Sequence, residues 1–373
     1  MNIKSLLLGS AAALVAVSGA RAADAIVAAE PEPVEYVRVC DAFGTGYFYI
    51  PGTETCLRIH GYVRYDVGAG DLFSIRTTTG DDTYFKRARF SFRVSTASET
   101  EMGTLRTYVE TRWQYDTNQN FVGLVPAGYN NANEFSVNFA WIQLGGLRVG
   151  KDESLFTTFT GYAGAVINDG SYGPFDTNLI SYTYNGGAFR AALAVEQGVS
   201  DDGTTNGTWG IDDYMPHVVG GVGYNAGMFD VSAVVGFDTR DDIGLTVRGG
   251  YAAKLRADVT INDQASLFAM IMYGENSSGY TTWGNGLPGS GLATDDTLSV
   301  IGGGSYKASD RLTFNMQAQW IDSNVALVDD AWSVVGNLNY TVVPGLVVTP
   351  EVVWADDGVN DAFGFYGRVQ RSF

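Results

Sequence analysis

The chain is short of the residues that most catalytic and metal sites use. Its 373 residues hold 2 His, 2 Cys and 9 Pro. His60 sits among arginines and tyrosines, and His217 follows Pro216 at a loop–strand edge. Neither has a serine elbow, an HExxH pattern or a Cys-rich metal spacing nearby, so we expect no enzyme, no metal and no cofactor. The run Gly220-Gly221-Val222-Gly223 falls inside a strand pattern rather than at a strand–helix turn, which argues against a phosphate cradle. Positive charge is also scarce. Lys and Arg number 23 against 41 Asp and Glu, a net charge of −18, which lacks the basic footprint of a nucleic-acid binder.

Long apolar runs are missing after the first residues, so no helix is expected to cross a membrane. The N-terminus itself reads as an export signal over residues 1–22. Lys4 supplies the positive start, Leu6 to Val17 the apolar run, and Ala20-Arg21-Ala22 the small-x-small cleavage site. Cleavage removes Lys4 and Arg21 and no acid, which takes the net charge from −18 to −20. Cys40 and Cys56 then lie in an exported chain, so one disulfide is expected, closing a small hairpin from Asp41 to Thr55. Two free thiols are the alternative. Loop closure of that length is worth about 3 kcal/mol.

What the chain has in quantity is Gly (47), Tyr (21) and Phe (20), a mix of turn formers and strand formers. The strands alternate. Leu312, Phe314, Met316, Ala318 and Trp320 are apolar, and Arg311, Thr313, Asn315, Gln317 and Gln319 between them are polar. About ten such residues make one tilted membrane strand. Trp332, Val334, Gly336, Leu338, Tyr340 and Val342 repeat the pattern. We read sixteen strands near 57–68, 83–96, 104–116, 134–143, 146–151, 178–185, 188–197, 217–225, 228–238, 244–258, 266–275, 295–307, 310–321, 331–342, 345–355 and 363–373.

Two features separate a membrane barrel from a soluble sandwich. Trp320, Trp332 and Trp354 fall at one end of their strands beside acidic loops, while Tyr306 and Tyr340 fall at the other, as two interfacial girdles would require. The connections also alternate. Short turns lie at Leu144-Gly145-Gly146, Asn185-Gly186-Gly187, Asn225-Ala226-Gly227, Ala308-Ser309 and Pro344-Gly345. Longer acidic loops contain Asp81-Asp82, Asp201-Asp202, Asp212-Asp213, Asp241-Asp242, Asp295-Asp296, Asp329-Asp330 and Asp356-Asp357. The expected fold is all-β: a transmembrane antiparallel β-barrel of 16 strands, with short periplasmic turns and long extracellular loops. The expected organisation is a signal peptide (1–22), an N-terminal periplasmic segment with the disulfide hairpin (23–56) and the barrel (57–373). Phe363, Phe365, Val369 and the terminal Phe373 share one face of the last strand, the aromatic ending that barrel assembly machinery reads.

The stretch from Val39 to Arg64, VCDAFGTGYFYIPGTETCLRIHGYVR, resembles the opening of the alphaproteobacterial porins of the Brucella and Rhizobium type. The resemblance runs from the signal to Phe373. It implies a homotrimer of sixteen-stranded barrels; outer-membrane lipid and lipopolysaccharide are the partners we expect around such a barrel. It also implies a third loop folded into each lumen and passive diffusion of small hydrophilic solutes and ions. A sugar- or anion-selective channel on the same barrel is the alternative, and a surface adhesin or structural barrel is another.

A barrel of this size leaves an aqueous channel. Its wall should be charged. Arg58 and Arg64 share the inner face of strand one with His60 and Tyr62; Arg87, Arg89 and Arg93 alternate with apolar residues on strand two; Arg106 and Arg112 do so on strand three. Facing lipid, each would cost about 2–4 kcal/mol, so we place all seven in the lumen. Arg248, Lys254 and Arg256 on strand ten should add positive charge. Opposite them we expect the third loop, Asp152 to Thr177, with Asp152, Glu153, Asp169 and Asp176 as constriction carboxylates. The competing reading of the arginines is an ion-pair ladder with Glu110 and other acids. The paired loop aspartates read as solvated tips, with divalent-cation binding as the minor alternative.

Overall fold

The computed structural model describes residues 38–373, apart from 78, 80–81, 123–124, 199–208, 285–295 and 324–328. The signal peptide, Asp81, Asp201-Asp202 and Asp295 lie outside the described residues. Sixteen long strands form the barrel: β1 (Cys56–Gly70), β2 (Asp82–Thr100), β3 (Gly103–Val122), β4 (Val125–Leu144), β5 (Leu147–Glu153), β6 (Asp176–Gly186), β7 (Phe189–Glu196) and β8 (His217–Asn225), then β9 (Phe229–Asp238), β10 (Gly250–Thr260), β11 (Ala265–Glu275), β12 (Asp296–Ser309), β13 (Leu312–Ile321), β14 (Ala331–Val343), β15 (Leu346–Asp356) and β16 (Asp361–Ser372). Each pairs antiparallel with its neighbours in sequence, and β16 pairs with β1 to close the sheet. Closure removes both edges, the condition for a sheet in hydrocarbon.

The side-chain pattern is inverted relative to a soluble protein. On β13, Phe314 and Met316 are 44% and 61% exposed on the outside, while Asn315 and Gln317 are 4% and 1% exposed inside. Trp320 pairs with Trp332 across β13–β14, their rings 6.5 Å apart at the long-loop end. Tyr306 and Tyr340 lie toward the short-turn end.

Several expected boundaries move. Residues 117–133 are not a free loop: β3 and β4 continue as a tall hairpin with pairing up to Val122 and Val125. β10 begins at Gly250 rather than 244, because Ile243 and Thr246 bridge each other in the preceding loop. The turn expected at Ala308-Ser309 lies two residues later, since an irregularity between Lys307 and Ser309 lets β12 run on. The third loop spans 154–175, so Asp152, Glu153 and Asp176 are strand residues.

Cys40 and Cys56 form the disulfide, with Cα atoms 6.0 Å apart, and a short strand Phe48–Tyr49 pairs with Leu57 and Cys56. The hairpin lies at the short-turn end, where Cys56 faces Ala97.

The barrel also holds an internal apolar core, which the alternation alone does not predict. Inward-facing Val219, Val234, Ala252, Met270, Met272 and Ile301 on β8–β12 are fully buried. Phe156 of helix α1 (Leu155–Thr158), Tyr280 and Trp283 pack onto them. The polar lining expected of every strand is therefore interrupted in this sector, where Ser232, Lys254, Thr297 and Ser299 share the inner face with these apolar residues.

Candidate functional site: a charged constriction in the lumen

Inward positions of β1–β4 form a lattice fixed by register. One row runs Tyr62, Ser91, Arg112, Ser136, and the next runs His60, Arg93, Glu110, Phe139. All seven expected arginines fall on this inner face. Two carboxylates sit behind the guanidinium groups, both fully buried. Glu110 takes Arg112 at 2.6 Å and Arg93 at 3.0 Å. Asp66 takes Arg368 of β16 at 2.7 Å and Arg64 at 3.1 Å. Ser91 donates to Glu110 at 2.9 Å. Arg87 binds Asp116 at 2.6 Å, and Arg89 donates to Gln114 at 2.7 Å. The ladder and the charged wall are thus the same arrangement.

The third loop crosses the lumen and is tied to the far wall. Glu196 of β7 accepts from Ser154 and from the backbone of Leu155, each at 2.7 Å. Lys254 donates to the Tyr172 carbonyl at 2.8 Å, and Gln319 brackets Ser171 with one bond to its carbonyl (2.8 Å) and one from its amide (3.0 Å). Glu351 accepts the backbone and side-chain N–H of Asn168 at 2.9 and 2.7 Å. Lys254 is buried and Arg256 grips the loop carbonyls of Tyr162 and Ala163, so neither serves as free wall charge. Arg248 lies in the loop before β10, ion-paired with Asp212, and is not on the strand.

Between wall and loop lies a cavity of about 890 Å³. Arg64, Arg93, Arg112, Arg148 and Arg368 reach it from the wall, with Asp152 and Glu153 at the end of the same wall strand β5, and Asp169 reaches it from the third loop. Asp152 is neutralised by Arg148 at 2.6 Å. Glu153 accepts from the Tyr162 hydroxyl, and Asp169 from the Tyr172 hydroxyl at 2.6 Å. Burial raises the Asp169 carboxyl above its ordinary range, with the tyrosine bond pulling partly back. It raises the Tyr172 hydroxyl as well, and the Asp169 charge adds to that shift.

Four expected wall residues and one expected carboxylate do not line this cavity. Arg58 runs beside Gly46 of the N-terminal hairpin, Arg106 is exposed near the short turns, and Arg87 and Arg89 sit higher toward the long loops. Asp176 falls on the outward parity of β6 and binds Lys151 at 2.6 Å. Conversely, Arg148 and Arg368 were not among the expected residues. Arg148 alternates with Leu147 and Val149 and obeys the same parity rule, whereas Arg368 meets Asp66 across 302 residues through barrel closure.

His60 stays on the wall with its ring 6.3 Å from Tyr108. His217 is buried against Trp209 and accepts the Thr239 N–H at 3.1 Å. Among the described residues no group of three or more His, Cys, Asp or Glu is placed to hold a metal.

The family model described as "Porin subfamily" matches residues 24–370. Porin Omp2b of Brucella suis biovar 1 (strain 1330) and of Brucella abortus (strain 2308) are each 48% identical over 392 aligned positions, covering 100% of both chains. Among solved structures, the outer membrane channel DcaP of Acinetobacter baumannii aligns with a TM-score of 0.60 at 16% identity, covering 87% of this chain and 99% of that one. An anion-selective porin from Comamonas acidovorans aligns at 0.54 and 15% identity, covering 86% and 100%.

Proposed function

This chain belongs to the porin subfamily, and from that premise we propose that its channel narrows between the arginine wall and the third-loop side just described. The protein is an integral β-barrel of the outer membrane and a general porin, a channel rather than an enzyme. In our reading the constriction is set by Arg64, Arg93, Arg112, Arg148 and Arg368 facing Glu153 and Asp169. The observation that carries it is the shared cavity, lined by those guanidinium groups, by Glu153 at the end of β5 and by Asp169 of the third loop. Fixed charges at such a point set ion preference.

We read three copies as forming the working unit and residues 1–22 as the export signal. We read residues 23–56 as an N-terminal periplasmic segment, whose described part carries the disulfide hairpin at the short-turn end. Phe373 meets the assembly machinery, and lipopolysaccharide meets the long-loop rim.

Planar-bilayer recording tests the reading. Ohmic steps grouped in threes are expected. Arg112→Gln should shift the reversal potential in a salt gradient toward cations, and Glu153→Gln toward anions. Unchanged selectivity in both folded variants would remove the constriction from this site.

A further inference from the structure

The lumen wall carries aromatic rings that simple alternation would send into lipid. On β4, Phe135 and Val137 face outward, 59% and 39% exposed, and unbroken alternation would point Phe139 and Trp141 the same way. The β3–β4 ladder is irregular there. Val137 pairs with Thr111 and Phe139 with Glu110, so Asn138 is an extra residue on β4. Such a bulge re-aims the side chains that follow it. Phe139 and Trp141 turn inward onto Tyr108, with ring centroids 5.6 and 5.4 Å away, while Ile142 takes the lipid side.

The third loop presents a second aromatic face to the same cavity. Tyr162 and Phe175 lie nearly parallel, 10° apart with centroids separated by 6.4 Å, and both stay well exposed, at 49% and 39%. Both are held in place. The Tyr162 hydroxyl donates to Glu153, and the Phe175 carbonyl accepts from the Ser154 N–H at 2.6 Å. Passive diffusion through water needs no apolar rings at its narrowest point, and exposed aromatic surface of this kind marks a place where a ligand stacks. Arg93 and Arg112 flank the wall rings. Each meets Glu110 through Nε, at 3.0 and 2.6 Å, which leaves its terminal N–H groups for an anion.

We infer that this cavity binds aryl carboxylates, with the aromatic ring taken by the faces of Phe139 and Phe175 and the carboxylate by Arg93 and Arg112. The inference rests on the constriction proposed above and adds a solute class. The guanidinium groups attract any small carboxylate alike, so the rings make the distinction, because only a flat π face gains by stacking. A cavity of about 890 Å³ has room for one benzoate with water around it.

The test is the block of potassium chloride current through the full-length protein in a planar bilayer at neutral pH. Benzoate is titrated against cyclohexanecarboxylate, which has the same charge and similar size but no π face. We expect benzoate to half-block the current at about fivefold lower concentration, the scale of one aromatic pair. That ratio should fall toward one in Phe139→Leu and, separately, in Phe175→Leu, both of which keep apolar bulk. Benzamide, which keeps the ring and loses the charge, should block more weakly than benzoate. Equal half-block concentrations for the two acids in the wild-type protein overturn the inference, as does a benzoate advantage that survives both leucine variants or a benzamide block as strong as that of benzoate. If the reversal potential responds to Arg112→Gln but benzoate has no advantage, the constriction stands and this inference alone fails. If the reversal potential responds to neither Arg112→Gln nor Glu153→Gln, the constriction is misplaced and the inference falls with it.

Discussion

Glu351 on β15 holds Asn168 of the third loop at 2.9 Å through the backbone N–H, although 183 residues separate them. The same buried carboxylate accepts from the Asn168 side chain, from the Ile167 backbone and from Asn337, which in turn donates to the Ala165 carbonyl at 3.1 Å. No lysine or arginine neutralises it in these bonds; several N–H donors do the work of a counter-ion. Together with Glu196 and Lys254, it fixes a 22-residue crossing (154–175) inside a water-filled barrel.

Loss of that anchor should loosen the loop before it harms the barrel. Glu351→Ala leaves buried donors without an acceptor, at about 1–3 kcal/mol for each that finds no water. The expected outcome is a larger and noisier single-channel conductance from protein that still shows the compact, unheated band on a gel. Glu351→Gln keeps one acceptor and should fall between. Quiet wild-type currents from Glu351→Ala would show that the other ties suffice.

Glu110 poses the opposite case, a carboxylate that holds two cations. Removing it with Glu110→Ala strands Arg93 and Arg112 beside each other, and breaking a buried pair in this way costs roughly 3–5 kcal/mol. We expect a lower midpoint in denaturant refolding and a shift of selectivity toward anions. Glu110→Gln keeps the Ser91 bond and should shift selectivity with a smaller loss of stability.

The barrel seam offers a steric test. Gly61 of β1 exchanges backbone bonds with Phe373 at 3.0 and 3.1 Å, and a Cβ placed there would lie 2.1 Å from the Ser91 carbonyl oxygen. Ladder spacing at this point admits no side chain. Gly61→Val should fail to give the compact band, whereas Gly367→Ala, with nothing within 4 Å of its Cβ, should fold normally. A folded Gly61→Val would mean the seam can shift register.

Much of this architecture was legible because a membrane barrel writes its two faces into period two. Phe314 and Asn315, or Val63 and Arg64, declare outside and inside one residue apart. The arginine wall was legible for the same reason. The internal core was not. Leu267 to Tyr273 on β11 is an unbroken apolar run, since Leu267 and Ile271 face lipid while Met270 and Met272 pack inside, and a strand apolar on both faces carries no alternation. The misplacement of Asp176 came from taking a loop boundary two residues too wide, which turned an outward strand residue into a loop carboxylate. Arg248 was misplaced by extending β10 backward past Gly250, where the ladder starts, through Gly249 at positive φ. The Arg368–Asp66 pair exists only because the first and last strands meet, a relation that period and spacing within one segment do not encode.

Asp169 gives the pore a dependence on pH. Its carboxyl is buried in the loop, so its proton is held more tightly than in an ordinary aspartate, and the Tyr172 bond offsets this only in part. As pH falls, Asp169 therefore loses its charge before exposed aspartates do, while the wall guanidinium groups keep theirs. The loop side becomes less negative, and the reversal potential in a salt gradient should move toward the anion limit on mild acidification. Asp169→Asn should sit near that limit already at neutral pH and respond less to acid. Stability carries the same sign. Between the ordinary and the raised value the folded chain binds more protons than the unfolded one, so this residue's contribution to stability falls as pH rises through that window. The Asn variant should then match or exceed the wild type in denaturant resistance at neutral pH and lose that margin in acid. A wild-type selectivity flat across that window would place the Asp169 charge outside the ion path.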